Sequence, residues 1–453
     1  WRAGRGIRAL SVCAGVGLVL FEAAELLWLG FQPLEAVFAA LGATVAGLAL
    51  IAAPGPVGVD GASRTTSCDD EVAEPPPPRA SSASAQLNGR TEAGGLRRPP
   101  RGRRAPAARL GSKTPVHPND DVNKSQSSND TFPTAMHLAV LQAVIQELAP
   151  SVRALHAALD DKAVLWADVV KIGRTHLEDA VPLTVGQEWS GYARQLADGL
   201  QRLLDTLPAL YEIALGGTAV GTGLNAPVGF DVEVAAELAA LTGIPFVTAP
   251  NKFAALGGLD AVVAASAGLR ALAVPLMKIA NDVRWAASGP RCGIGELVLP
   301  ANEPGSSIMP GKINPTQCES MVMVCIQVLA EDSAVAFAGS QGNFELNTMR
   351  PIVINNVLHS ARRLTDATRL FREFCIEGTT LNRPRIEENL ERSLMLVTAL
   401  SPAIGYDAAS AVAQRAAREG TTLREAALAQ GVVTAADFDR LVDPRAMTAP
   451  RSR

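Results

Sequence analysis

From about Leu110 onward, apolar residues recur at three- and four-residue spacing over stretches far longer than an ordinary strand. That period constrains the fold more than any other feature. "TFPTAMHLAVLQAVIQELAPSVRALHAALDDKAVLW", 131–166, predicts one long helix with Asp130 or Thr131 as its cap. "VGQEWSGYARQLADGLQRLLDTLPALYEIA", 185–214, predicts another, and 258–288, 315–340 and 347–373 follow. β-branched alternation is almost absent, and aromatics make up only 4% of a chain dominated by Ala and Leu. The predicted fold is mainly α: an elongated bundle of long helices over 110–380, then a small C-terminal helical domain over 381–453. "RPRIEENLERSLML" and "LREAALAQGVVTAADFDRLV" are the helical text of that last unit.

Residues 1–109 do not share this pattern and read as an atypical N-terminal region. The chain opens on Trp1, which marks a fragment or a misplaced start. Arg2, Arg5 and Arg8 precede an apolar run from Ala9 to Phe21, and a second run, Ala36–Ala53, carries no charge. Its roughly 18 residues are the lower limit for a spanning helix, so two readings stand: membrane contact through 1–53, or a buried Ala-rich helix. Residues 75–78 are four prolines, and five arginines crowd "RRPPRGRR" at 97–104. Such text buries too little apolar surface to offset ordering entropy and reads as a solvated, disordered tail. Net charge is −4 with a pI near 5.9, which argues against a nucleic-acid partner. The six cysteines form no CxxC pair, so the chain predicts no disulfide framework and no zinc site, and a reducing cytoplasm is the default setting.

Polar, glycine-rich islands interrupt the helices, and chemistry belongs there. They are "VHPNDDVNKSQSSNDTFP" at 116–133, "KIGRTHLEDAVPLT" at 171–184, "GGTAVGTGLNAP" at 216–227 and "GSSIMPGKINP" at 305–315, extended to Glu319. Ser127, Ser128, Asn129 and Thr175 are short neutral hydrogen-bonders that suit carboxylate oxygens. Lys312 adds a positive charge and Asn314 a donor. Pro315 suits the first position of the next helix, whose positive end then faces the loop. A small dicarboxylate fits this set. A nucleotide does not, because no Walker A or GxGxxG run accompanies a strand. His176 and Glu319 are candidates for acid/base work. His137 and His156 lie inside helical patterns and read as packing or surface residues. No HExxH or paired His/Asp spacing suggests a metal, and no cofactor is expected.

Together these islands resemble the fumarase/aspartase superfamily, and within it the class II fumarate hydratases. "GSSIMPGKINP" looks like the superfamily's signature loop, while "KSQSSNDTFPTAMH" and "GRTHLEDAVPLTVGQE" are similar to the hydratase versions of two further segments. The resemblance runs from about Gly111 to Met447. Aspartases resemble the same pattern but carry Gln where His176 stands.

The resemblance implies reversible hydration of fumarate to L-malate. Ser306, on a mobile loop, would take the C3 proton of malate. Lys312, Asn314 and backbone N–H groups would stabilise the resulting dianion. His176, coupled to Glu319 through a water, would protonate the departing hydroxyl. Ser127, Ser128, Asn129, Thr175 and Ser307 would hold the substrate carboxylates. "VHPND" is similar to a secondary dicarboxylate site, so His117, Pro118, Asn119 and Asp120 would form it. The family is similar to a homotetramer with each site built from three chains. One departure stands out: the family's "TGSGTQ" loop is not found, and "SASAQLNGRTEAGG" at 82–95 occupies its place. A shifted reading frame or wrong gene start would explain it. The alternatives are a catalytically inactive helical scaffold and a related ammonia or argininosuccinate-type lyase.

Overall fold

The computed structural model describes Lys113 and residues 117–450, all within one compact unit spanning Gly102–Arg453. The expectations for residues 1–109, including membrane contact through 1–53 and the replaced loop at 82–95, lie outside the described residues.

Long helices form in each of the five predicted stretches, and two further helices, at Phe230–Thr242 and Lys252–Gly257, form where none was predicted. In chain order they are α1 (Ser128–Gln142), α2 (Ala149–Leu165), α3 (Val185–Leu204), α4 (Phe230–Thr242), α5 (Lys252–Gly257), α6 (Asp260–Ala286), α7 (Thr316–Gly339) and α8 (Arg350–Phe371). A shorter set follows: α9 (Arg383–Arg392), α10 (Ser401–Ile404), α11 (Tyr406–Glu419), α12 (Leu423–Ala429) and α13 (Ala435–Leu441). The bundle is built by α7 lying against both α6 and α8, with α3 bridging α2 and α6. One continuous hydrophobic core runs through it, and a second cluster gathers Leu396, Leu400, Val412, Leu423 and Phe438 from the C-terminal helices.

Local chemistry sets the ends. The cap of α1 is Ser127, not Asp130 or Thr131. Its hydroxyl accepts from Asn129 N, and the Asp130 carboxylate reaches back to Ser127 N, a capping box that places Asp130 inside the first turn. Between α1 and α2 the helix widens into a π-type stretch at Ala143–Leu148, so 131–166 is not uniform α-helix. The helix predicted to 214 stops at Leu204. Pro208 cannot continue an α-helical ladder, and the chain tightens into a 3₁₀ turn at Leu207–Tyr211. Pro315 stands at the cap of α7 rather than at its first turn.

Where α2 meets α3, Trp166 and Trp189 pack edge to face at 4.7 Å. A Cβ on Gly186 would stand 2.4 Å from the Ala163 carbonyl oxygen, so only glycine permits this approach. Two buried carboxylates of α7 are hydrogen-bonded inside the bundle. Glu331 of α7 accepts from Gln327, His359 and Ser360, and Asp332 takes the Ser266 hydroxyl at 2.7 Å and Arg270 at 3.0 Å. By length and composition alone, Ser128–Leu165, Asp260–Ala286 and Thr316–Gly339 could each cross a membrane. Here Asp260–Ala286 packs on Thr316–Gly339, and Ser128–Leu165 packs on α3 and α8.

The island at 171–184 is not an irregular loop. It is an antiparallel hairpin, β1 (Val170–Thr175) with β2 (Glu178–Thr184), paired Val170 to Thr184 and Thr175 to Glu178 with an irregularity between Ile172 and Arg174. Ile172 is buried in the C-terminal cluster. Minor two-residue strands complete the described sheet structure: β3 (Glu212–Ile213) with β4 (Val247–Thr248), and β5 (Leu297–Val298) with β6 (Thr380–Leu381).

Candidate active site

The first island is organised around Asp130, which has no solvent exposure. One carboxylate oxygen accepts Ser127 N at 2.9 Å; the other accepts Gly216 N at 3.0 Å and Thr218 N at 2.8 Å. Asn129 Nδ2 donates to the Ala219 carbonyl at 2.8 Å. The first and third islands are therefore docked together. Gly216 permits it: its φ is +92, and a Cβ would lie 2.3 Å from the Asp231 Cβ. From α8, the buried Arg350 donates to the Asn129 carbonyl at 2.7 Å and the Leu256 carbonyl at 2.9 Å. These contacts fix the backbone that presents Ser127, Ser128 and Asn129.

Thr175 and His176 sit exposed at the hairpin tip. His176 and Leu177 form the turn with φ of +59 and +63. Two consecutive non-glycine residues in the left-handed region cost on the order of 1–3 kcal/mol each and persist only where the surroundings over-determine them. The base of the hairpin supplies that constraint. Arg174 makes a two-pronged contact with Glu296, at 2.7 and 3.1 Å, and Lys171 bridges Glu296 at 3.1 Å and Glu188 at 2.8 Å. Burial disfavours the Glu296 carboxylate, but the Arg174 hydrogen bonds and the charges of Lys171 and Arg174 outweigh it and hold its pKa below the usual value.

The fourth island folds on itself. Gly305 N donates to the Lys312 carbonyl at 2.7 Å, and Asn314 Nδ2 donates to the Gly305 carbonyl at 2.7 Å. A Cβ on Gly305 would lie 2.5 Å from that Lys312 oxygen, and Gly311 turns the chain at φ +79. Within this closed loop the Ser306 hydroxyl oxygen accepts two backbone N–H groups, Ile308 at 3.3 Å and Met309 at 3.2 Å. Both dipoles favour negative charge on that oxygen. Ser307 is exposed beside it. Lys312, Asn314 and Glu319 line a cavity of about 680 Å³ with Arg284, Trp285 and Asn382.

The suggested secondary site is a short π-type turn, Pro118–Val122, closed by His117, whose Nδ1 accepts Asn119 N at 3.2 Å and Asp120 N at 3.1 Å. A ring nitrogen that accepts two amides is unprotonated, so the Asp120 carboxylate at 3.3 Å adds little as an ion partner in that tautomer. Asn119 and Asp120 are exposed.

One chain thus gathers Lys312, Asn314 and Glu319 around a cavity with Ser306 and Ser307 on its loop, and separately docks Ser127–Asn129 onto 216–219. Among the described residues no hydrogen bond or ion pair joins His176 to Glu319. Sequence reasoning missed Arg174, Glu296 and Arg350 as supports. Arg174 stood inside a quoted island, but its partner lies 122 residues away and Arg350 lies 221 from Asn129, and no local pattern reports such pairings.

A lyase family profile matches residues 105–330, and a profile of the fumarase C C-terminus matches 396–449. The chain is 66% identical over 338 residues to a class II fumarate hydratase of Methanosarcina acetivorans, covering 75% of this chain and 70% of that one. It is 60% identical over 332 residues to the class II fumarate hydratase of Ralstonia nicotianae, covering 73% and 72%. Among solved structures, a class II fumarase from Schistosoma mansoni superposes with a TM-score of 0.73 at 45% identity, over 76% of this chain and 75% of that one. Identity at this level over the segments that carry the hairpin, the capped serines and the Ser306 loop leaves one assignment: the chain belongs to the class II fumarate hydratase family.

Proposed function

We propose that this protein is a carbon–oxygen lyase that interconverts fumarate and L-malate, with Ser306 as the base. The observation that carries the role of Ser306 is the pair of amides, Ile308 N and Met309 N, aimed at its Oγ. In the malate-to-fumarate direction, the Ser306 alkoxide takes the C3 proton and becomes the hydroxyl, and the C–H electron pair passes into the adjacent carboxylate. That dianion is held by Lys312 and Asn314. Its electrons then form the C2–C3 double bond as the C2 hydroxyl leaves as water, taking a proton supplied by His176 with Glu319 through a bridging water. Ser127, Ser128, Asn129, Thr175 and Ser307 hold the two carboxylates. His117, Pro118, Asn119 and Asp120 form a secondary dicarboxylate site.

The working form is a homotetramer with sites shared between chains. Two observations support this reading. Among the described residues, no hydrogen bond or ion pair directly joins Ser127–Asn129, His176 and the Ser306 loop to one another. The outer face of α7 also exposes Met323, Ile326 and Phe337 at helical spacing, an apolar stripe that a partner helix would cover. The cytoplasmic setting and a place in the tricarboxylic acid cycle accord with the buried free thiols Cys318, Cys325 and Cys375 and with the substrate pair. Incubation with L-malate, L-aspartate and argininosuccinate, following fumarate by its absorbance, tests the assignment. Fumarate from malate alone is expected; release from aspartate or argininosuccinate instead would replace it with an ammonia or argininosuccinate-type lyase.

A further inference from the structure

We infer that Arg174, clamped by Glu296, is a positioning residue that aims His176 by holding the strained hairpin turn in place. The inference rests on the proposed role of His176. Arg174 lies on β1, two residues before His176, the first residue of the turn, and Glu296 is 2% exposed. The Glu296 carboxylate collects Arg174 by two bonds, Lys171 at 3.1 Å and Asn389 Nδ2 at 3.1 Å. Its own backbone is pinned as well: Glu296 N donates to the Ala286 carbonyl at 2.8 Å, and Asn382 N donates to the Glu296 carbonyl at 2.9 Å. One residue therefore ties the hairpin to α9 through its side chain and to the end of α6 through its backbone. Gly295 and Leu297, its chain neighbours, line the cavity that holds Lys312, Asn314 and Glu319. The clamp thus shares a frame with the cavity.

Why should a hairpin tip need this? The turn residues His176 and Leu177 both have positive φ, and neither is glycine. Without an external constraint the turn would relax toward ordinary φ, and the imidazole would swing with it. A guanidinium fork fixes both distance and plane, whereas an ammonium fixes only distance. Lys171 already supplies a point charge to the same carboxylate. The fork is what Arg174 adds.

The test is a double-variant cycle on the full chain, Arg174→Lys with His176→Asn, read as kcat and KM for malate. Amide hydrogen exchange is measured across 170–204 on each variant. Arg174→Lys keeps the charge and removes the fork. A displaced catalytic group costs on the order of 10²-fold in kcat, with KM changed by less than about threefold. In the His176→Asn background the same change should cost almost nothing further, because there is no longer an imidazole to aim. Exchange should quicken at 173–178 and stay unchanged in α3. An equal loss of kcat in both backgrounds would overturn the proposal and leave Arg174 a purely structural residue. If His176→Asn leaves kcat intact, the reading of His176 fails by itself. In that case, or if the parent chain shows no turnover, hydrogen exchange decides: unchanged protection at the hairpin tip in Arg174→Lys overturns the clamp.

Discussion

At the scale of single residues, the site rests on buried carboxylates more than on the polar groups that first draw attention. Asp130 satisfies three backbone N–H groups and faces Arg350, so Asp130→Ala removes a charge and orphans its partners. We expect a loss of about 3–5 kcal/mol, measured by denaturant unfolding. A change below 1 kcal/mol would mean that the island docks by other contacts. Glu296 predicts a pH effect. Its native pKa lies below the unfolded value, so it contributes stability above about pH 4.3 and loses it as pH falls through the native value. Burial likewise lowers the pKa of His137, so its neutral form adds stability above about pH 6.5 that acidification removes. Thermal midpoints should therefore fall in two steps on acidification, and His137→Gln should flatten the first. Ser127, Asn129, His176 and Ser306 stood out in the sequence as candidates because polar residues in Gly-rich breaks have few structural reasons to exist. Asp130 was visible only as a cap, and Glu296 not at all, because their worth lies in partners distant along the chain.

At the scale of elements, periodicity located most ends of the predicted long helices to within a few residues, overran one at Leu204 and missed the helix at Phe230–Thr242, and its failures have physical causes. The capping box moved the start of α1 from Asp130 to Ser127, since a side chain three residues on can reach back to the cap. The hairpin at 170–184 escaped because Lys171 and Arg174 point to a buried carboxylate, so the strand shows no polar-out alternation. Close approach at Gly186 yields a direct prediction. Gly186→Ala would drive a methyl into the Ala163 carbonyl and the Ala167 backbone, neither of which is a flexible end. Overpacking of this kind costs roughly 1–3 kcal/mol or more, visible as a lowered denaturation midpoint with an unchanged slope. No loss would show that α2 and α3 can slide apart.

At the scale of the whole molecule, the candidate groups lie on separate elements of one helical scaffold. In the proposed tetramer, the apolar stripe on α7 would tie assembly to activity. Replacing Ile326 with Asp should lower the sedimentation coefficient and kcat together, and a monomer of full activity would remove the shared-site reading. The most direct test of the central claim is the rate of malate–fumarate interconversion by the purified chain beside Ser306→Ala. Measurable turnover that falls by about 10²–10⁴-fold in the variant is the predicted result. Equal rates in the two proteins, or no turnover in a folded parent chain, would contradict it.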